Sequence, residues 1–517
     1  MAFADFQDLP GAIGGHARAR PMQAALICGD DRISYAQLDA GMDRVAAALQ
    51  RDGAGRGDTI AICATGSVAY LTLFMGTLRA GMAVAPIAPS STPQQIAAMV
   101  ADSGARHFFL DADVAAAVPP ALTPGLRRIR IDDTGGDEGG DGRLADWWAG
   151  ADGPPRPVPI SQDLRFNIIY SSGTTGVPKG IVHTHALRWG QVRRAAAAGY
   201  GPDSTTIVAT PPYSNTTLVV IIPTLFHGGT LVICPKFDCA GYLQQAQAHR
   251  ATHTMLVPVQ YQRLMAHADF DRHDLSAFRF KACTSAPFRA ELKADVLRRW
   301  PGALVEYYGL TEGGGSCILE CHLYPDKLHT VGKPAEGHDI RLIDEDGREL
   351  PRDSGAVGEL VGRSPVMMAG YHNLPAKSDE AQWFDAQGRR FLRSGDVGRF
   401  DADGFVVLMD RRKDMLISGG FNIYPSDLEA ELRQHPAVAD VAVVGVPSDQ
   451  WGETPVAFVV RRPGHADSAD SLRDWMNARV GKHQRLAGVQ WIAELPRSAI
   501  GKVLKRELRD AWQPAAG

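Results

Sequence analysis

Phe166-Asn167-Ile168-Ile169-Tyr170-Ser171-Ser172-Gly173-Thr174-Thr175-Gly176-Val177-Pro178-Lys179-Gly180-Ile181-Val182-His183 reads as a strand, a polar loop and a second strand. Positions 171–180 hold four hydroxyls, three glycines and one lysine. Glycines let backbone N–H groups come close to an anion, hydroxyls donate to phosphate oxygens, and a lysine adds a point charge. The loop lacks the G-x-x-x-x-G-K-[ST] spacing of a P-loop. Pro178 and Gly180 on either side of Lys179 argue against a helix starting there. A plain flexible turn is the competing reading, weakened by so many phosphate-suited groups between two strands.

Upstream, helical and extended stretches alternate. Leu38, Met42, Val45 and Leu49 recur at helical spacing behind Ser34, a natural N-cap. Asp58–Cys63 reads as a strand, the run with Tyr70, Leu73, Phe74 and Leu78 as a helix, and Ala83–Ile87 as the next strand. This alternation, continuing to about residue 238, predicts an α/β architecture with largely parallel sheets. The Gly-, Asp- and Pro-rich stretch 134–159 reads as a surface connection. Downstream, Asp410-Arg411-Arg412-Lys413-Asp414 is a charged run between apolar strands. Beyond it a compact α+β unit is expected: a helix over 426–432 started by Pro425, strands over 437–446 and 456–460, and a helix over 468–480. The predicted organisation is a large N-terminal domain of mixed sheets with packed helices (1–410) and a small C-terminal α+β domain on a hinge (411–517).

Three further segments carry chemistry-suited residues. Glu306-Tyr307-Tyr308-Gly309-Leu310-Thr311-Glu312 joins flat rings to a hydroxyl and a carboxylate, Ser394-Gly395-Asp396 places an acid beside a turn, and Gly501-Lys502 lies near the C-terminus. With the loop at 171–180, in this order, they resemble the acyl-adenylate-forming superfamily, which includes acyl- and aryl-CoA ligases, adenylation domains of peptide synthetases and firefly-type luciferases. The resemblance covers essentially the whole chain.

The resemblance implies ATP, Mg2+ and coenzyme A as cofactors or co-substrates. It implies a nucleotide site of Ser171, Ser172, Gly173, Thr174, Thr175, Gly176 and Lys179, the small-residue adenine loop Thr284-Ser285-Ala286-Pro287, and Tyr307, Tyr308 and Gly309. Tyr308 would stack on adenine, Thr311 bind the α-phosphate and Glu312 hold the metal, as a carboxylate suits a hard cation. Asp396 would take the ribose hydroxyls, with Arg411 on ribose or phosphate and Lys413 as the pivot. Ser418, Gly419 and Gly420 would form the thiol tunnel, and Lys502 the catalytic lysine. The acid pocket is expected from Tyr213, Ser214, Asn215, Val257, Pro258, Cys283, Gly309 and the run Gly313-Gly314-Gly315, three glycines that leave room for an acyl group unless they merely loosen a turn.

One departure stands out: Ser214 lies where many members carry a histidine near the substrate carboxylate. The favoured expectation is a carboxylic acid:CoA ligase on an aromatic or medium-chain acid, since no carrier domain follows the lysine motif. A stand-alone enzyme loading a carrier protein is the runner-up, and a non-catalytic nucleotide-binding protein the outsider.

The bulk numbers agree with an ordinary globular protein. The chain has 517 residues, too many for a single hydrophobic core. With 54 basic against 58 acidic side chains the net charge is -4, which gives no argument for nucleic acid or an anionic membrane. Seven scattered cysteines with no C-x-x-C pair argue against a disulfide framework or structural zinc, and fit a reducing cytoplasm. The apolar run Leu218–Phe226, broken by Pro223, falls short of the roughly 20 residues a membrane span requires. A homodimer is left open.

Overall fold

The computed structural model describes residues 3–132, 142–150, 153–171, 178–365, 367–411, 414–418, 421–448, 451–498 and 501–513. Two large sheets dominate the first 334 residues. One runs in the order Gly142–Arg143, Arg127–Arg130, His107–Leu110, Thr59–Cys63, Ala83–Pro86, Arg165–Ser171, Lys179–Thr184. It is parallel except for its last pair, where the strands flanking the polar loop fold back on each other. The other is parallel through Ala303–Gly309, Phe280–Cys283, His253–Leu256, Thr205–Val208, Thr230–Ile233 and Ala24–Cys28, with antiparallel strands at both edges.

Helices fill the space between the two sheets. Tyr35–Arg51, Val68–Arg79 and Asn215–Phe226 share one core with residues of both. The strand Thr59–Cys63 shows how: Ile60 and Ile62 face this inner core, whereas Ala61 and Cys63 face an outer one with Ile96 and Val100. Side chains alternate along a strand, so a strand covered on both faces is apolar throughout. The Tyr35–Arg51 helix begins as the sequence suggests. Ser34 caps it reciprocally with Gln37, satisfying two N–H groups that would otherwise be orphaned.

The sheets are mixed, as expected for the large domain. From Asp339 onward a third sheet, of 339–343, 349–350, 358–363, 382–384, 390–400 and 406–411, is antiparallel in every pairing. Short hairpin turns such as Asp344-Glu345-Asp346-Gly347 reverse the chain there, and a short helix within the sheet's span, Pro375–Glu380, joins 358–363 to 382–384, which both pair antiparallel with 390–400. One expectation needs correction: 134–159 is not merely a connection, since Leu144–Ala149 is a short helix whose Leu144 and Trp147 are buried against the inner core. Trp147 donates to Asp52 at 2.7 Å.

Arg411 ends the last strand of the third sheet, opposite Asp396, and Leu416 opens a fourth. This fourth sheet joins 416–418, 421–423, 438–448, 452–461 and 488–492, and packs on helices Pro425–Leu432 and Ala469–Asn477. Lys413, the expected pivot, lies outside the described residues. No helix among the described residues is long and apolar enough to cross a membrane.

Candidate active site

Strand ends deliver several of the singled-out residues to one region. Ala303–Gly309 ends in Tyr307, Tyr308 and Gly309, and the chain then turns through Thr311 and Glu312. The Tyr308 hydroxyl donates to Asp396 Oδ2 at 2.8 Å, tying the second sheet to the third. Burial and the Asp396 charge hold that phenol well above its usual range, so it remains a donor. Thr284 Oγ donates to the Tyr307 carbonyl at 2.7 Å and seats the 284–287 loop against this strand. Ser285 has φ +84°, uncommon for a residue with a Cβ, and its hydroxyl meets Thr216 Oγ at 2.6 Å. Ala286 and Pro287 complete the same turn.

Lys179 and Glu312 approach through Tyr371. The Tyr371 hydroxyl donates to Glu312 Oε1 at 2.8 Å, and Lys179 Nζ lies 5.2 Å from the Tyr371 ring centroid. The Glu312 carbonyl accepts from the Met368 amide at 2.8 Å, and the Thr311 carbonyl bonds His183 Nε2 at 2.7 Å. Glu312 makes no ion pair with a described residue, which leaves a carboxylate oxygen for a cation. No cluster of three or more metal-ligating side chains exists among the described residues. A single carboxylate beside a phosphate-binding loop suits Mg2+, which is bound through one or two carboxylates, substrate phosphates and retained waters. Ser171 pairs with Lys179 across the loop. Ser172, Gly173, Thr174, Thr175 and Gly176 lie outside the described residues, as do Gly419 and Gly420. Ser418 is buried at a strand end.

On the acid side, Ser214 caps helix Asn215–Phe226, its hydroxyl accepting from the Thr216 amide at 3.2 Å. Tyr213 is half-buried, and burial raises its phenol. Val257 and Pro258 open helix Pro258–Met265. The Lys502 loop rests here. A Cβ on Gly501 would lie 3.0 Å from Val259 Cγ1 and 3.4 Å from Val257 Cγ2. Gly501 has φ +77° and donates to the Ser498 carbonyl, while the Lys502 amide donates to Ser498 Oγ at 3.2 Å; the Lys502 side chain is exposed. Arg497 donates to the Gly501 carbonyl at 2.8 Å and to Asp440 at 2.7 Å, and Asp440 accepts from Arg289 of the large domain at 2.8 Å.

Two acid-pocket expectations are overturned. Cys283 is wholly buried in the core on the opposite face, with Tyr261 and Phe288, and burial raises its thiol well above the usual range. Gly314 and Gly315 do not open space. A Cβ on Gly314 would lie 2.6 Å from Leu392 Cβ, and the Gly314 carbonyl would meet a Cβ on Gly362 at 1.8 Å. Gly315 has φ +101°, and a Cβ there would lie 2.6 Å from Ile340. The run is therefore a tight turn through which the third sheet approaches the second. Gly313 (φ +76°) belongs to that turn, its carbonyl accepting from Ser364 Oγ at 2.7 Å. Gly309 is also close-packed, with Ser316 Oγ 2.9 Å from where its Cβ would stand.

Sequence reading missed Tyr371, His183, Arg188, Asp440 and Arg497. It also missed Glu306, which forms a buried ion pair with Lys293 beneath the strand. None sits at a spacing that signals a partner, although a histidine and an arginine within an apolar stretch are the kind of buried polar residue that calls for one.

Both halves of the chain match known enzymes. The model of the AMP-binding enzyme C-terminal domain matches residues 427–502. A feruloyl-CoA synthase from Amycolatopsis sp is 32% identical over 499 residues, covering 95% of this chain and 96% of that protein. A fatty acid–[acyl-carrier-protein] ligase, ScoC, from Streptomyces coeruleorubidus is 29% identical over 511 residues, covering 96% and 95%. The crystal structure of ATP-bound MatB from Rhodopseudomonas palustris superposes with a TM-score of 0.84 at 29% identity, covering 98% of this chain and 99% of that one. With the AMP-binding enzyme model also matching residues 15–372, the chain belongs to the AMP-binding enzyme family.

Proposed function

We propose that this chain is an ATP-dependent carboxylic acid:coenzyme A ligase that first forms an acyl-adenylate and then a thioester, with an aromatic acid as substrate. The observation that carries it is the similarity to a feruloyl-CoA synthase running through both domains of a chain that has Lys179, Thr311, Glu312, Asp396 and Lys502.

In the first half-reaction a carboxylate oxygen attacks the α-phosphorus of ATP and pyrophosphate leaves. Tyr308 and the 284–287 loop hold adenine, Asp396 accepts from the ribose hydroxyls with Arg411 beside it, and Thr311 donates to the α-phosphate. Lys179 and the hydroxyls of 171–176 offset the charge on the leaving phosphates, where preorganised groups act most strongly. A magnesium ion held by Glu312 and the ATP phosphates would neutralise charge on the phosphate oxygens. Lys502 bridges the carboxylate and the α-phosphate and holds them in line. In the second half the small domain pivots at Lys413, Lys502 withdraws, and the 418–420 loop lines the path of the pantetheine thiol. The thiol attacks the acyl carbonyl, and AMP leaves. Tyr213, Asn215, Val257, Pro258 and Gly309 remain as the proposed acid-facing residues.

The test is ATP–pyrophosphate exchange over ferulate, 4-coumarate, benzoate, octanoate and acetate, followed by product analysis with coenzyme A or a phosphopantetheinylated carrier protein. Ferulate or 4-coumarate should support the fastest exchange, and coenzyme A should be acylated. Acylation of the carrier protein alone would favour the activity named for ScoC. Exchange with none of the acids would overturn the reading.

A further inference from the structure

Arg188 is the charged side chain for which the proposed mechanism has no use. It lies on helix His185–Ala195 with 2% of its surface exposed, and no carboxylate among the described residues lies within ion-pair distance. Buried charges are ordinarily paired, because removing an ion from water costs several kcal/mol. The partners of Arg188 are all neutral. Nε and Nη2 donate to Asn167 Oδ1 at 3.1 and 2.8 Å, Nη1 to Gln191 Oε1 at 2.9 Å and to Asn215 Oδ1 at 2.7 Å, and Nη2 to His183 Nδ1 at 3.0 Å. Burial draws the guanidinium pKa down to about 9, so it stays charged at neutral pH.

Two of these partners lead to the two reacting groups. A guanidinium only donates, so the Asn215 atom facing it is the carbonyl oxygen and the amide nitrogen is turned away. Asn215 is partly exposed, and that nitrogen has no hydrogen-bond partner among the described residues. It opens helix Asn215–Phe226, whose N-terminal end favours an anion, and the next residue, Thr216, touches Ser285 of the adenine loop. The Ser214 hydroxyl is committed to capping that helix, which leaves Asn215 to face the substrate. On the other side, His183 Nδ1 accepts from Arg188, so Nε2 carries the proton and donates to the Thr311 carbonyl. Burial and the Arg188 charge keep this imidazole neutral.

We propose that Arg188 is a positioning residue for adenylation: it turns the Asn215 amide outward as a donor to the acid carboxylate, fixes Thr311 through His183, and so registers carboxylate against α-phosphate, with the anionic substrate completing its unmatched charge. This rests on the ligase reading above, and it assigns to Asn215 the carboxylate contact that a histidine one position earlier would otherwise make.

Asn215→Asp separates this role from a purely structural one. The new carboxylate gives Arg188 a counter-ion, so the fold should keep its melting temperature or gain. The same change presents an acceptor, not a donor, to the acid. With the acid that wild type uses best, KM for the acid should rise at least about tenfold, the scale of one hydrogen bond to a charged group. KM for ATP should stay within about twofold. The primary amide of that acid, used as a competitive inhibitor, should bind wild type and variant alike. Arg188→Lys, which keeps the charge but not the five-donor fork, should raise KM for the acid and lower kcat, again with KM for ATP held. An Asn215→Asp enzyme with unchanged KM for the acid overturns the proposal, as does one whose KM values for acid and ATP rise together with a lowered melting temperature. Wild type inactive with every acid overturns the ligase reading itself, and this inference falls with it.

Discussion

The turn Gly309–Glu312 and the hairpin Pro496–Lys505 both carry residues assigned to the same half-reaction, yet they are held in opposite ways. Around the turn, side-chain hydrogen bonds span long stretches of chain: His183 to Thr311, Tyr371 to Glu312, Tyr308 to Asp396. Each joins a different element, so the turn is tied to three other parts of the fold. The hairpin is closed by its own residues, Ser498 to Lys502 and Gly501 to Ser498. It touches the large domain through Gly501 on Val257 and Val259 and through the ion-pair chain Arg289–Asp440–Arg497. The wall proposed to hold ATP is tied to several distant elements, whereas the lysine proposed to serve one step only is presented on a locally closed hairpin.

The largest expected effect concerns the presented side. Lys502→Ala should slow acid-dependent ATP–pyrophosphate exchange by about 10²- to 10³-fold, as for loss of one preorganised charge-stabilising donor. Lys505, three residues on, is the control: its Nζ pairs with Glu429 at 3.3 Å within the small domain. Lys505→Ala should leave exchange within about twofold and lower the melting temperature slightly. The reverse pattern would mean that the catalytic lysine is misassigned.

On the built side, Tyr371→Phe removes the hydrogen bond to Glu312 without changing shape. Exchange should fall roughly tenfold or more, since a bond to a charged group contributes about 1.5–3 kcal/mol. The magnesium concentration for half-maximal rate should shift. An unchanged rate and magnesium dependence would separate Tyr371 from the phosphate site.

Gly314→Leu tests the corrected reading of the glycine run. The side chain would collide with Leu392 and the Gly362 carbonyl, and overpacking of this kind costs about 1–3 kcal/mol. Thermal stability should drop and activity should fall alike for small and bulky acids. A loss confined to bulky acids would restore the run to the acyl pocket.

The smallest effect is expected from Asp440→Asn. A partly exposed ion pair contributes about 0.2–1 kcal/mol. Exchange should therefore fall by no more than about fivefold, the thioester step should be spared, and high salt should mimic the substitution in wild type. Equal slowing of both steps would show that Asp440 supports the fold and not the docking of the hairpin.

The part of the candidate site that was legible in the sequence is the local part. Tyr308, Thr311 and Glu312 lie within five residues, and the strand that ends at Gly309 brings Tyr308 to Asp396. The helices and strands from Ser34 to Pro86 followed from apolar spacing, which burial on one or two faces imposes. Contacts made across long stretches of chain left no such trace. Arg188, His183 and Tyr371 acquire meaning only when the sheet brings Asn215, Thr311 and Glu312 to them. The glycine run was misread for a related reason: a missing side chain can leave a space or admit a neighbouring strand, and only the position of Gly362 decides which. Helix Leu144–Ala149 was hidden by its polar, Gly-rich surroundings, although Leu144 and Trp147 anchor it.

The central claim is that the hairpin serves adenylation and then leaves. Single-turnover thioester formation by Lys502→Ala, started from a synthetic acyl-adenylate and coenzyme A, tests it most directly. The account predicts a rate near that of wild type, in an enzyme whose exchange activity has fallen by about two to three orders of magnitude. A thioester rate reduced as far as the exchange rate, with an unchanged melting temperature, would contradict it.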